Sequence, residues 1–107
     1  MGIGLKQIRD FCESEKIQFT DHALKRAIER GIDIKNDIIP ALLNGEIIEE
    51  YPDDYPYESC LILGITLNGE PLHVVCATGD EALWIITEYV PNNTEWESDF
   101  KTRKKVL

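Results

Sequence analysis

The chain has 107 residues, of which 43% are hydrophobic and 29% are charged, and its formal net charge is −9. This length predicts a single domain over 1–107, since two independent cores would each lie near the lower size limit for stable folding. The composition excludes disordered and fibrous proteins. The longest apolar runs are too short to span a membrane, and no apolar stretch of the signal-peptide kind follows the first basic residue.

Charge is distributed unevenly along the chain. Residues 1–45 carry seven basic and seven acidic side chains, residues 46–100 carry thirteen acidic side chains and no lysine or arginine, and residues 101–107 carry four basic ones. A protein that binds nucleic acid over its whole surface would not show this pattern. Any anion site must therefore be built from the first 45 residues and the tail, while the acidic middle suits a basic partner or simply maintains solubility.

The three cysteines, Cys12, Cys60 and Cys76, are scattered and form no CxxC pair. An odd, unpaired set argues against both a disulfide framework and a cysteine-based zinc site. It is typical of a reducing compartment, so a cytoplasmic location is expected.

Helical spacing of apolar residues predicts that helices occupy about residues 3–44. A first amphipathic helix covers 3–15, and 17–19 form a short extended link. The chain contains no internal repeat, low-complexity tract or linker-like stretch.

Capping signals define the next two helices. The segment TDHALKRAIERG begins a helix at Thr20 or Asp21 and ends it at Gly31. A third helix follows Asp33, a candidate cap, and Pro40 inside it either kinks the helix or delays its start.

From about residue 46 to 90 the apolar period changes to that of strands. Four runs rich in β-branched and aromatic residues follow one another, EIIEEY, ESCLILGIT, PLHVVCAT and ALWIITEYV. Asn68-Gly69 between the second and third runs is a strong hairpin signal. The sequence thus predicts an α+β domain with two or three N-terminal helices packed on a four-stranded antiparallel sheet. Residues 91–107 form a polar tail whose Trp96 either docks on the sheet or extends from it.

The second helix carries the first candidate for chemistry. The residues of its predicted apolar stripe are Ala23, Leu24, Ala27 and Ile28. On the opposite side His22 and Arg26, four positions apart, lie next to each other. An imidazole can transfer a proton near neutral pH, and a guanidinium can neutralise a phosphorane. The alternative is an ordinary solvated helix face.

The last strand carries the second candidate. Strict alternation places Thr87 and Tyr89 on the same face as Leu83 and Ile85, at the polar end of the row that faces the helices. The alternative is that both residues simply favour a β conformation. His73, alone in an apolar strand, is interpreted as a hydrogen-bonded core or surface residue. No segment has the spacing of a metal-ligand set, so neither a metal nor a cofactor is expected.

Four segments, taken in order, resemble a small bacterial and archaeal domain of unknown function: FTDHALKRAIERGI, ALLNGEIIEEYPDD, LILGITLNGEPLHVV and WIITEYVP. The resemblance covers about residues 17–96. Such proteins are often encoded beside zinc-finger antitoxins of the YgiT/MqsA type, and their plan is similar to that of RelE and barnase-like ribonuclease toxins. The resemblance implies a metal-independent endoribonuclease, the toxin of a toxin–antitoxin pair, whose partners are RNA and a cognate antitoxin.

The resemblance also implies roles for individual residues. His22 becomes the general acid or base at the 2′-hydroxyl and Arg26 stabilises the phosphorane, while Thr87 and Tyr89 orient the phosphate or its leaving group. The implied phosphate contacts are Arg30, Arg103 and Lys104. A second hypothesis comes from the acidic block: a non-catalytic module that captures a basic partner through its acidic sheet or an open strand edge, with the acidic residues of 46–58 needed for capture.

Overall fold

A computed structural model describes residues 3–105. The helices are α1 (Leu5–Glu13), α2 (Asp21–Arg30) and α3 (Ile39–Asn44), and the strands are β1 (Ile17–Phe19), β2 (Glu46–Tyr51), β3 (Ser59–Ile65), β4 (Pro71–Gly79) and β5 (Ala82–Tyr89). A π-helical segment, Ile34–Ile38, precedes α3. The predicted α+β class is confirmed. Within the described range, no helix has both the length and the apolar character that a membrane crossing requires.

The helix ends follow the local signals of the sequence. The Thr20 hydroxyl accepts a hydrogen bond from the Ala23 amide at 3.0 Å and caps α2. Gly31 ends α2 in the left-handed conformation, with φ of 65°. Asp33 caps the π-helical segment, and Pro40 lies in the first turn of α3, where its missing amide proton breaks no helical bond. Of the two alternatives for the third helix, a kink or a late start, the structure shows the late start, since the α-helix begins at Ile39 after the π-helical segment.

The sheet has five strands in the order β1-β5-β4-β3-β2. The strands β2 to β5 form the predicted antiparallel meander, and Gly69 has φ of 81° in the turn between β3 and β4. The prediction of four antiparallel strands is wrong in one respect, because residues 17–19 form β1, which pairs in parallel with Leu83–Ile85 of β5. A three-residue segment has too few positions to show an alternating pattern, and its partner is distant in the sequence.

The core lies between the helices and the inner face of the sheet. The strand residues in it are Cys60, Ile62, Leu72, Val74, Cys76, Leu83 and Ile85, and the helix residues include Ile8, Ala23, Ala27 and Leu42. The apolar stripe of α2 is narrower than expected, since the side chain of Leu24 is 40% exposed and that of Ile28 is 83% exposed. The buried residues of α2 are Ala23 and Ala27, and their small side chains allow the helix to pack closely against the sheet.

A β-bulge interrupts the pairing between β4 and β5. Cys76 of β4 lies opposite Ile85 of β5, whereas Val75, which directly precedes Cys76, lies opposite Thr87. Ile86 is therefore an extra residue without a partner in β4. A bulge of this kind shifts the alternation of side chains between the two faces by one position.

Beyond the bulge the two faces of β5 are exchanged relative to the prediction. Glu88 lies opposite the core residue Val74 and so faces the helices, whereas Tyr89 lies opposite His73 on the outer face. The prediction that Thr87 and Tyr89 face the helices is wrong, because strict alternation takes no account of the inserted residue.

The segment 91–105, called the C-terminal segment below, docks on the outer face. It leaves the end of β5 and crosses β4, where the Phe100 carbonyl accepts a hydrogen bond from His73 Nε2 at 2.8 Å. It then reaches β2, where Lys101 Nζ lies 2.7 Å from the Glu46 carboxylate. Of the two alternatives for the tail, docking is therefore the one observed.

Candidate functional site

An open cleft with a volume of about 690 Å³ lies where α2, β5 and the C-terminal segment meet. The residues that line it are Arg30, Tyr89, Val90, Asn92, Glu95, Trp96 and Arg103. Two guanidinium groups, a phenol, a carboxylate and an indole therefore surround one space. Arg30, Tyr89 and Arg103 were singled out from the sequence, and the fold brings these three together.

Arg30 reaches the cleft from the last turn of α2. β1 pairs only with Leu83–Ile85, so the far end of β5 is an open edge. There the Glu88 carbonyl accepts a hydrogen bond from Arg30 Nη1 at 2.6 Å. A guanidinium has five N–H donors, so this bond fixes the side chain at the edge and leaves donors for a ligand in the cleft.

Arg103 forms the opposite wall. Its Nε and Nη2 donate to the two carboxylate oxygens of Glu49 at 2.7 and 2.9 Å. The Tyr51 hydroxyl donates to the same carboxylate at 2.6 Å. The hydrogen bonds from Arg103 are the largest cause of a lowered pKa at Glu49. The guanidinium carbon lies 4.6 Å from the centroid of the Trp96 ring, a cation–π contact. Two independent contacts thus hold the Arg103 side chain in one place.

Behind Tyr89 lies a buried histidine. His73 Nε2 faces the Phe100 carbonyl, which can only accept, so this nitrogen carries the proton. Burial lowers the pKa of His73, which keeps the ring neutral at pH 7. The neutral Nδ1 then accepts from the Tyr89 hydroxyl at 3.3 Å. Burial also raises the pKa of Tyr89, so a protonated phenol backed by a neutral imidazole faces the cleft.

Trp96 completes this arrangement. Its ring meets that of His73 edge to face, with centroids 4.5 Å apart, and only 2% of the residue is exposed. The indole therefore supports His73 on one side and Arg103 on the other.

Glu88 lies on the inner side of the same strand end. The residue is fully buried, and neither carboxylate oxygen has a hydrogen-bond partner among residues 3–105. Burial raises the pKa of Glu88 to about 7, although the nearby charge of Arg30 acts in the opposite direction. The carboxyl is thus held close to its titration point at neutral pH.

The other residues singled out from the sequence lie outside the cleft. His22 is exposed in the first turn of α2, about 12 Å along the helix axis from Arg30. Arg26 forms an ion pair with Glu29 at 2.9 Å. Thr87 lies opposite Val75 on the outer face. The predicted catalytic residues His22, Arg26 and Thr87 therefore lie apart from the cleft.

Lys104 also lies outside the cleft. Its side chain is exposed, and its amide donates to the Glu95 carbonyl at 2.9 Å. Its contact with a cleft residue is therefore made by the backbone. Elsewhere in the described range, no three His, Cys, Asp or Glu side chains are grouped so that they could hold a metal ion.

Residues 19–90 match a family described as a domain of unknown function, DUF4258. The chain belongs to the DUF4258 family. No curated protein and no solved structure matches it. The matched part of the DUF4258 domain runs from the end of β1 through β5, so it contains Arg30 and Tyr89 but ends before Trp96 and Arg103. One half of the cleft therefore lies in the family match and the other half in the C-terminal segment.

Three residues in or directly behind the cleft were not predicted as site residues from the sequence: His73, Glu95 and Trp96. An isolated histidine in an apolar strand is typical of a buried, hydrogen-bonded residue, and His73 is one, but its partners are distant in sequence. The available signal was Trp96, a large aromatic residue in an otherwise polar tail close to basic residues. Such a residue indicates that the tail folds back on the domain.

Proposed function

We propose that this protein is a metal-independent endoribonuclease that binds and cleaves RNA in the cleft. The observation that carries the proposal is that Arg30, Arg103 and Tyr89 line one open cleft. We propose further, from the resemblance described above, that it is the toxin of a toxin–antitoxin pair, with an antitoxin of the zinc-finger type as partner.

The two guanidinium groups support binding of a phosphodiester. A planar guanidinium presents paired N–H donors to phosphate oxygens, and charge that develops on the phosphorane strengthens those bonds. Arg30 keeps donors that Glu88 does not use, and Arg103 keeps donors that Glu49 does not use. Both side chains are held by other contacts, so little entropy is lost when the phosphate binds.

Tyr89 and Glu95 are suited to the two proton transfers. In the proposed reaction Glu95 takes the proton of the 2′-hydroxyl, and the 2′-oxygen forms a bond to phosphorus. The bond from phosphorus to the 5′-oxygen breaks, and Tyr89 gives that oxygen a proton, leaving a 2′,3′-cyclic phosphate and a free 5′-hydroxyl. The His73 ring is fixed by the bond from its Nε2 to the Phe100 carbonyl, and its Nδ1 accepts from the phenol and orients Tyr89 before the reaction. The phenol leaves this bond when its proton goes to the 5′-oxygen.

Cleavage of a labelled single-stranded RNA tests this proposal. We expect Arg30→Gln to slow cleavage by about 100-fold to 1,000-fold and Tyr89→Phe by about 100-fold or more. His22→Ala is the matched control on α2 and is expected to leave the rate unchanged. An RNA of the same sequence with 2′-O-methyl groups throughout should not be cleaved.

Two results would contradict the proposed site or the proposed reaction. Loss of cleavage in His22→Ala, with Tyr89→Phe fully active, would place the chemistry on the exposed surface of α2. Cleavage of the 2′-O-methyl RNA would exclude attack by the 2′-hydroxyl. The toxin role has its own test: induced wild-type protein should arrest bacterial growth with loss of RNA, Tyr89→Phe should not, and the co-expressed antitoxin should restore growth.

The second hypothesis, an acidic module that captures a basic partner, has less support as a description of the whole region 46–58. Glu46 and Glu49 are already paired with Lys101 and Arg103 of the same chain. The basic tail therefore neutralises part of the acidic block.

A further inference from the structure

A second cavity, of about 530 Å³, lies on the outer face of the sheet at the end away from the cleft. Its walls include Tyr55, Tyr57 and Trp84, and the carboxylates of Asp54 and Asp80. Trp84 and Tyr89 are five residues apart on β5, so the two sites are about 16 Å apart. None of the cleft residues lines this cavity.

The chemistry of the walls selects a cation. The faces of tyrosine and tryptophan rings carry negative electrostatic potential, and cations bind over them. Two carboxylates add to that potential, and no lysine or arginine is among the lining residues. Between residues 46 and 100 the chain has no lysine or arginine, so within that region no side chain of its own with a permanent positive charge competes for the site.

Local contacts hold these walls in place. The Ser59 hydroxyl donates to the Asp54 carboxylate. Interaction with the Asp80 carboxylate raises the pKa of Tyr57. A Cβ on Gly79 would lie 2.5 Å from Tyr57 Cδ2, so the absence of a side chain at Gly79 lets the Tyr57 ring lie against β4. The cavity is therefore formed before any ligand binds.

We propose that this cavity binds the cationic side chain of a basic peptide segment, arginine in preference to lysine. Arginine is favoured because its planar guanidinium stacks on aromatic rings and forms paired bonds with carboxylates. The side chain of a peptide is favoured over a small free cation because the cavity is open, and Tyr55 at its rim is 94% exposed. The peptide backbone can stay outside while the side chain enters, and the exposed carboxylate of Glu81 can receive a neighbouring basic residue.

The test is a titration of the full chain, followed through the indole N–H resonance of Trp84 in an NMR spectrum. The resonance is assigned by its loss in Trp84→Phe. The probe is a six-residue peptide with two arginines, and the matched control peptide has citrulline in their place. We expect the arginine peptide to move the Trp84 resonance and the citrulline peptide to leave it unchanged.

Matched variants separate this site from general attraction between opposite charges. Asp80→Asn and Tyr55→Ala should each weaken binding of the arginine peptide about tenfold. Asp53→Asn removes the same charge from an exposed position that does not line the cavity, and Leu67→Ala shortens an apolar side chain that is 69% exposed elsewhere. Neither control should change the affinity. Because the Tyr55 side chain is almost fully exposed, its removal leaves the fold intact.

Three outcomes would overturn the proposal. The first is that Asp53→Asn weakens binding as much as Asp80→Asn. The second is that tetramethylammonium binds more tightly than the arginine peptide, which would make the site one for a small free cation. The third is that the Trp84 resonance does not move with the arginine peptide. All three are independent of RNA cleavage, so they leave the proposed function untouched.

Discussion

The buried carboxyl of Glu88 should make the stability of this protein depend on pH in a defined range. Its two oxygens have no hydrogen-bond partner among residues 3–105, and burial raises its pKa from 4.5 to about 7. We predict that Glu88→Gln, which keeps the shape and removes the charge, abolishes this dependence.

The sign follows from proton binding in the two states. Below pH 4.5 the carboxyl is protonated in both the folded and the unfolded chain, and the folded state bears no cost. Between pH 4.5 and 7 the unfolded chain loses its proton while Glu88 in the folded protein keeps it, so the free energy of unfolding falls as the pH rises. Above pH 7 both states are ionised and the loss is complete. A pKa of about 7 against 4.5 corresponds to about 3 kcal/mol, a large part of the stability of a small domain.

The assay is urea denaturation of the wild type and Glu88→Gln at intervals from pH 4.5 to 8.5. The difference between the two proteins isolates Glu88, because His73 and other groups titrate equally in both. Relative to its value at pH 4.5, this difference should grow by about 3 kcal/mol in favour of the variant by pH 8. Glu50→Gln, which changes an exposed glutamate, should track the wild type. If the two stability curves for wild type and Glu88→Gln run parallel, Glu88 has an ordinary pKa and the argument from burial is wrong.

Three further substitutions test the packing. Gly64→Ala should destabilise the protein by about 3 kcal/mol or prevent folding, because a Cβ there would lie 2.5 Å from the Ala41 Cα. Thermal unfolding measures the effect, and the control is Gly4→Ala, where no atom lies within 4 Å of the added Cβ. Thr20→Ala should cost about 1–2 kcal/mol in urea denaturation, since it removes both the cap of α2 and a hydrogen bond to β5; no loss would mean that water replaces both bonds. Trp96→Leu should increase hydrogen exchange throughout the C-terminal segment while leaving the exchange of β3 and β4 slow, because the indole is the contact that joins His73 and Arg103.

Most of the fold could be predicted because its signals are local. Thr20, Gly31 and Asp33 act at helix ends through their own backbone conformation or side-chain oxygens, and each does so in the structure. The turn at Asn68-Gly69 depends on a positive φ at one glycine. Features that one or two neighbouring residues determine can be found in a sequence without knowledge of their partners.

The missed features depend on residues that are far apart in the sequence. β1 becomes a strand only because β5 offers it an edge. The bulge at Ile86 is defined by the register of β4, which the sequence of β5 alone does not contain, and it sends Tyr89 to the outer face. The cleft could therefore be predicted in part, through Arg30, Tyr89 and Arg103. Because the prediction placed Tyr89 on the inner face of β5, it set Tyr89 beside His22, whereas in the structure Tyr89 lies beside His73.

The parallel pair of β1 and β5 also has a consequence for how the protein is made. Thr20, directly after β1, bonds to Ile86 across 66 positions of sequence. During synthesis β1 and the helix that follows it have no edge to pair with until β5 has left the ribosome, and closing so long a loop is slow. Arg30 at the end of that helix, and Arg103 beyond β5, then reach their places after the central strands. The cleft therefore cannot form until both β5 and the C-terminal segment have left the ribosome, because its walls come from α2, β5 and that segment.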